Sequence, residues 1–295
     1  MSGSQSARQR NADGGDIIPV RLPPVPSHVF ERRAARFRAL SPDHAAGDFL
    51  AALAHLAEAQ CLACREVPLP VMGGRGAWPA VPLHTGEWRR AGDWRKALSV
   101  ILGEMRKAPL PAPARAVLAR LGQTAPAELE AFADALLNGA FHQIDPGVAP
   151  FVGAALQVYW TVLTSCVPAQ GLAASERGCP NCGSAPAAGL VLGDGLRYLV
   201  CSLCAAEWHL ARVVCANCRA TEGISYFAIE GVPGAAKAEA CEQCRTYLKL
   251  FYLEKAPQAE PFADDVATLS LDLLMSEKGY SRSGVNLFLL PGVQH

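Results

Sequence analysis

Eight of the eleven cysteines stand in one stretch as four C-x-x-C pairs: Cys179/Cys182, Cys201/Cys204, Cys215/Cys218 and Cys241/Cys244. A C-x-x-C turn presents two sulfurs to one ion at about 2.3 Å, and two facing turns complete a tetrahedral thiolate site. Pairs one and two are separated by 18 residues and pairs three and four by 22. The first gap lies inside the usual range for paired metal knuckles, and the second just beyond it. Only 10 residues separate Cys204 from Cys215, which suits a link between modules better than a hairpin within one. The spacing therefore predicts sequential pairing into two rubredoxin-like or zinc-ribbon modules, over residues 178–210 and 211–255. A cross-braced pairing is the alternative that spacing leaves open.

The elements that must position these sulfurs are short strands. Leu190–Leu192 and Leu196–Val200 read as strands around the turn Gly193-Asp194-Gly195. Ile224–Glu230 alternates like a strand, Gly231–Gly234 is its turn, and Thr246–Tyr252 is a further strand. Gly183 follows the first knuckle, where a turn with positive φ favours glycine. Arg219 and Arg245 occupy the equivalent positions in the second module.

Two other chemistries fit the cysteines less well. A C-x-x-C disulfide closes a very small loop and constrains little of the unfolded chain. Thioredoxin-type redox chemistry needs one C-x-x-C at a helix start, not four at hairpin spacing. Cys61/Cys64 form a fifth C-x-x-C in a helical context without a partner pair, and two ligands do not close a site. They read as small apolar residues near a helix end, and Cys166 reads as a core cysteine. Trp208 and His209, just after Cys204, read either as a packed tryptophan with a satisfied histidine, or as a partner-recognition surface or support for the metal site.

Lys+Arg 27 balances Asp+Glu 27, and the cysteine region is also neutral, with six basic and six acidic residues between positions 179 and 250. Nucleic-acid modules usually carry a positive excess, so DNA or RNA binding is disfavoured. Residues 1–27 lack the apolar core of a signal peptide and are expected to be disordered, which predicts a cytoplasmic chain. Reduced thiols in that compartment fit metal ligands. No nucleophile elbow, phosphate loop or dinucleotide fingerprint is present, and no catalytic constellation stands out.

Residues 28–170 read as an all-α helical bundle. His28–Leu40 carries Phe30 and Phe37 on one face, with Arg32, Arg33, Arg36 and Arg38 expected on a solvated face. Ser41-Pro42 reads as the start of a second helix bearing Phe49, Leu50, Leu53, Leu56 and Ala57. Trp94 to Met105 and Leu129 to Leu136 give two more apolar stripes, the latter closed by Asn138-Gly139. Phe151–Val167 is strongly apolar, but Gly153, Gln157, Thr161, Thr164 and Ser165 interrupt it. It is short for a membrane span and reads as the buried central helix. Beyond the ribbons, over residues 262–292, Asp264-Asp265 opens a helix with Val266, Leu269, Leu273 and Leu274 on its apolar side and Gly279 as its stop. Val285–Leu290 is expected to pack back onto the body. The fold class is thus α+β and multidomain: a helical bundle, two tandem ribbons and a C-terminal helix.

The run from Cys179-Pro-Asn-Cys182-Gly through Cys201-Ser-Leu-Cys204-Ala-Ala-Glu-Trp208-His209 resembles the FdhE family of formate dehydrogenase accessory proteins. So do Arg212-Val-Val-Cys215-Ala-Asn-Cys218, Cys241-Glu-Gln-Cys244 and the ending Gly279-Tyr-Ser-Arg282-Ser-Gly-Val-Asn286-Leu-Phe288. The likeness extends over about residues 20–292; it departs at Arg219 and Arg245, where glycine is expected, and does not include Cys61/Cys64. It implies a cytoplasmic, non-enzymatic factor that binds the molybdenum-containing catalytic subunit of respiratory formate dehydrogenase before export. It also implies iron on the eight cysteines, although four thiolates accept zinc equally well. A rubredoxin-type electron-transfer or redox-sensing protein is the alternative function, and a homodimer is left open.

Overall fold

The computed structural model describes residues 9–10, 16–17, 21–68, 79–90, 92–168, 178–229 and 236–290. The turn expected at Gly231–Gly234 lies outside them, as does most of the segment expected to be disordered. Three short strands come first: β1 (Gln9–Arg10), β2 (Asp16–Ile17) and β3 (Arg21–Leu22). The helical body follows as α1 (Pro26–Leu40), α2 (Gly47–Ala63), α3 (Asp93–Met105), α4 (Ala112–Leu121), α5 (Pro126–Leu137) and α6 (Ala149–Ser165).

Local sequence explains these helices. Pro26, Pro113, Pro126 and Pro150 sit in first turns, where a missing N–H costs nothing. Phe30, Ala34 and Phe37 recur on one side of α1 and are buried, as are Trp94, Leu98, Ile101, Leu102 and Met105 on α3. Every residue of α6 from Phe151 to Thr164 is buried, so it is the central helix around which α2, α3 and α5 pack. Among the described residues no helix is long and apolar enough to cross a membrane.

The second half is strands: β4 (Pro186–Val191), β5 (Arg197–Cys201), β6 (Glu207–His209), β7 (Ile224–Phe227), β8 (Ala236–Cys241) and β9 (Thr246–Tyr252). After them come α7 (Pro261–Ala267), α8 (Leu269–Glu277) and β10 (Ser281–Arg282). The two ribbons share one sheet of order β3-β6-β5-β4-β9-β8-β7, with β10 alongside β9. The seam is a parallel pairing of β4 with β9, Gly189 opposite Leu250. A Cβ at Gly189 would lie 2.6 Å from Leu250 Cδ2, so the seam closes tightly only over a glycine.

Three local expectations are corrected. Ser41 caps the C-terminus of α1, donating its N–H to the Phe37 carbonyl at 3.0 Å, and α2 begins only at Gly47. The arginines of α1 do not all face solvent. Arg33 is buried, with Nε donating to Glu260 at 3.1 Å, and Arg36 forms a forked pair with Asp264 at 2.6 and 2.8 Å. The reason is distant in sequence: α7 brings two carboxylates against α1. The single C-terminal helix is two helices broken at Thr268, and Leu269 and Leu273 are exposed. The helix starts before Asp264, because Glu260 accepts N–H bonds from Phe262 and Ala263 at 3.0 and 2.8 Å. The tail does pack back, with Phe288 edge-on to Phe37 and Phe262.

Candidate metal centres

Each ribbon supplies one knuckle from a loop and one from the end of a strand. Cys179 and Cys182 precede β4, while Cys201 ends β5 and Cys204 lies in the turn to β6. Cys215 and Cys218 lie between β6 and β7, while Cys241 ends β8 and Cys244 lies in the turn to β9.

The backbone repeats the same turn. The N–H groups of Cys179, Cys201 and Cys215 donate to the carbonyl five residues on, those of Ser184, Ala206 and Ala220, at 2.7–2.9 Å. Further N–H groups point at sulfur: Asn181 to Cys179, Leu203 and Cys204 to Cys201, and Asn217 to Cys215, each at 3.4 Å. The residue after each knuckle has positive φ: Gly183 at 79°, Ala205 at 54°, Arg219 at 68° and Arg245 at 53°. The two arginines thus take the conformation that glycine favours, and the turns are the same in both modules.

The sulfurs converge as two separate groups, Cys179/Cys182/Cys201/Cys204 and Cys215/Cys218/Cys241/Cys244, each within 4.8 Å. Pairing is therefore sequential, not cross-braced. Across the first group Cys179 lies 3.5 Å from Cys204 and Cys182 3.4 Å from Cys201. Across the second, Cys215 lies 3.7 Å from Cys244 and Cys218 3.6 Å from Cys241. A disulfide requires about 2.05 Å, and all eight cysteines are free. A tetrahedron with metal–sulfur bonds of about 2.3 Å has sulfur–sulfur edges near 3.8 Å, so these groups are close to the size one ion needs.

The electrostatics point the same way. Burial and neighbouring thiols push the Cys179 and Cys201 thiols well above the usual thiol range, while at Cys182 hydrogen bonds with the other thiols outweigh burial and hold it well below that range. Burial and neighbouring thiols also raise Cys215, to about 12. At Cys244 burial is outweighed by hydrogen bonds led by that with Thr246, and the thiol falls to about 6. Four crowded sulfurs with aligned N–H donors and no carboxylate among them suit a soft tetrahedral cation, and this donor set accepts iron or zinc.

The comparisons with known proteins agree with this geometry from end to end. Residues 18–176, 178–212 and 213–289 match the descriptions "FdhE, N-terminal", "FdhE, central domain" and "FdhE, C-terminal domain". The chain belongs to the FdhE family. It is 39% identical over 292 residues to "Protein FdhE homolog" of Cronobacter sakazakii, covering 94% of this chain and 93% of that one. The corresponding protein of Serratia proteamaculans is 40% identical over 301 residues, with 97% and 96% covered. The crystal structure of the FdhE protein from Pseudomonas aeruginosa superposes with a TM-score of 0.84 at 35% identity, covering 93% of this chain and all of that one.

Other residues singled out by sequence lie as follows in this FdhE-family fold. Trp208 is buried opposite Leu199, and the outer edge of β6 is paired with β3, Arg21 opposite Trp208. His209 is half-buried and edge-on to Tyr198 at 5.7 Å; burial and Arg197 lower its basicity. Cys61 is buried and Cys64 half-buried at the end of α2, and burial raises both thiols, Cys64 to about 11. Cys166 is half-buried at the end of α6.

Spacing gave no sign of the residues that hold the first centre to the body. The Leu83 and Thr85 N–H groups donate to the carbonyls of Asn181 and Cys182 at 2.8 and 3.1 Å. Trp160 of α6 donates to the Leu83 carbonyl at 3.2 Å, and Gln157 of α6 donates to that of Ser202 at 2.8 Å. Gln157 in turn accepts from the buried Arg33 at 3.0 Å. The hint in the sequence was Gln157, an amide inside a strongly apolar helix, since a buried amide requires partners.

Proposed function

We propose that this chain is an accessory factor for respiratory formate dehydrogenase, not an enzyme, and that it engages the catalytic subunit in the cytoplasm before export. In this reading Cys179, Cys182, Cys201 and Cys204 hold one metal ion, and Cys215, Cys218, Cys241 and Cys244 a second. The observation that carries it is the pair of four-sulfur groups built into one sheet on a helical body, in a chain alike along its length to FdhE proteins. A bound iron or zinc ion supplies cross-links that fix the knuckles, and iron additionally supplies one-electron chemistry. The protein's own contribution is to hold the sulfurs at tetrahedral spacing, aim backbone N–H groups at them and keep the sheet in register.

The test is formate-dependent dye reduction in cells lacking the gene. Activity lost with the gene and restored by the wild-type protein supports the accessory role, while unchanged activity with the enzyme demonstrably expressed removes it. Trp208 and His209 are the proposed contact region, with Trp208 as buried support for the half-exposed His209. If substituting His209 leaves capture of the catalytic subunit intact, the contact lies elsewhere.

One observation favours the second reading, rubredoxin-type electron transfer: Cys218 and Cys244 of the second centre are only partly buried. Zinc, and no iron, in protein isolated from its own host would remove it.

A further inference from the structure

The two sulfur groups are alike in turn geometry but sit in different surroundings. All four cysteines of the first are fully buried, at 0% exposure. Both of its knuckles are tied to the helical body: the first through the backbone bonds from Leu83 and Thr85, the second through Gln157 to the Ser202 carbonyl. The ring of His84 also covers the first knuckle, since a Cβ on Gly183 would meet it at 2.8 Å. With all four cysteines at 0% exposure, an incoming ligand reaches these sulfurs only after the residues that cover them move.

The second group lies toward the other end of the sheet, between β8, β9 and the loop before β7. Cys218 and Cys244 are partly exposed, and Asn217, Arg219 and Glu242 beside them are exposed. Its fourth knuckle is tied to the C-terminal segment: Arg245 donates to the Lys278 carbonyl at 2.8 Å, and Ser281 donates to that of Arg245 at 2.9 Å. Tyr280 bonds Glu242. With these ties in place Cys218 and Cys244 are still only partly buried.

We infer that the two centres divide their labour: the first is a locked structural cross-link between body and sheet, and the second is the exchangeable centre, whose ion is open to external thiols and chelators. The inference rests on the ligand assignment above. Ligand exchange at a thiolate centre proceeds through attack on an accessible ion or sulfur. A buried centre must first wait for local opening, whose population falls with the contacts that have to break.

The test uses the full chain loaded with zinc and mixed with excess chromogenic chelator. Two equivalents should leave in two phases of one equivalent each, the second at least about tenfold slower, as expected where release requires opening. In parallel, pulse alkylation of the zinc-loaded wild-type protein with N-ethylmaleimide, read cysteine by cysteine by mass spectrometry, should label Cys218 and Cys244 in step with the fast phase. Cys179, Cys182, Cys201 and Cys204 should be labelled only in the slow phase. Cys244→Ser should abolish the fast equivalent and keep the slow one. Release of both equivalents in a single phase, or early labelling of the first four cysteines, overturns the division of labour while leaving the ligand assignment intact. Uptake of fewer than two equivalents by the wild-type chain overturns the assignment, and the inference with it.

Discussion

At the four positions after the knuckles, backbone conformation and residue identity disagree in three cases, Ala205, Arg219 and Arg245. A left-handed conformation costs an L-residue about 1–2 kcal/mol, and glycine recovers that at the expense of about 0.5–1 kcal/mol of unfolded-state entropy. Arg219, exposed with φ of 68°, is the simpler case. Arg219→Gly should raise the unfolding free energy by up to about 1 kcal/mol in denaturant titrations of metal-loaded protein. Arg245→Gly should gain nothing, because the Arg245 guanidinium lies 4.0 Å from the Tyr280 ring centre and bonds the Lys278 carbonyl. Gly183→Ala, with φ of 79° and the His84 ring in the way, should lose about 1–2 kcal/mol. A second residue-level case is Asp265, buried against Lys249 and Arg282 at 3.2 and 2.5 Å. Burial alone would raise its carboxyl; the two cations and Asn286 outweigh that and hold it below the usual carboxylate range. Its contribution is therefore fully present above about pH 4 and lost as pH falls through the depressed value. Asp265→Asn should cost about 3–5 kcal/mol at neutral pH, since it leaves a buried Lys249 short of charge. The gap between variant and wild type in denaturant stability should narrow below pH 4; a constant gap down to pH 2 would contradict the ion-pair account.

At the scale of elements, α1 and α6 show how a polar side chain inside a helix can join two halves of a molecule. Arg33 of α1 sits over the Phe262 ring at 3.8 Å and bonds Glu260, while Gln157 of α6 links it to the Ser202 carbonyl in the second knuckle. Arg33→Ala leaves Glu260 buried without its cation and should cost about 3–5 kcal/mol in the same titrations. Gln157→Leu preserves the packing but strands the Ser202 carbonyl, and should cost about 1–3 kcal/mol. The same pair of helices marks where sequence was legible. Helical periodicity placed Phe30, Phe37 and the apolar length of α6 inside, because burial follows from a local repeat. Cysteine spacing gave both sulfur groups and their pairing, because a C-x-x-C turn and a hairpin are local geometry. It could not place Arg33, since whether an arginine faces water depends on what α7, more than 200 residues on, brings against it. Nor could it give β8, whose Ala236–Cys241 carries weak strand formers and is held by pairing with β7 and β9.

For the whole molecule, the question is whether two ribbons and a helical body unfold as one unit or three. The two ribbons share a continuous sheet through the β4–β9 seam, and α7 packs on β4, β9 and α1. One hydrophobic cluster runs from Phe30 and Trp160 through Leu190 and Leu250 to Phe262 and Phe288, and includes the first four cysteines. A core shared in this way leaves no plane along which body and sheet can separate without exposing apolar surface, at about 25 cal/mol per Å². Thermal unfolding of cobalt-loaded protein should then show coincident transitions in helical circular dichroism and in the thiolate–cobalt absorption of the first centre, isolated in the Cys244→Ser variant. Because metal-binding energy contributes directly to folding, chelation complete enough to strip that centre should lower the helical transition too, although no helix residue is a ligand. Loss of the cobalt band well below an unshifted helical transition would instead mean that the body stands alone, and that the bonds from Gln157 and Leu83 tie the centre to it without coupling their stabilities.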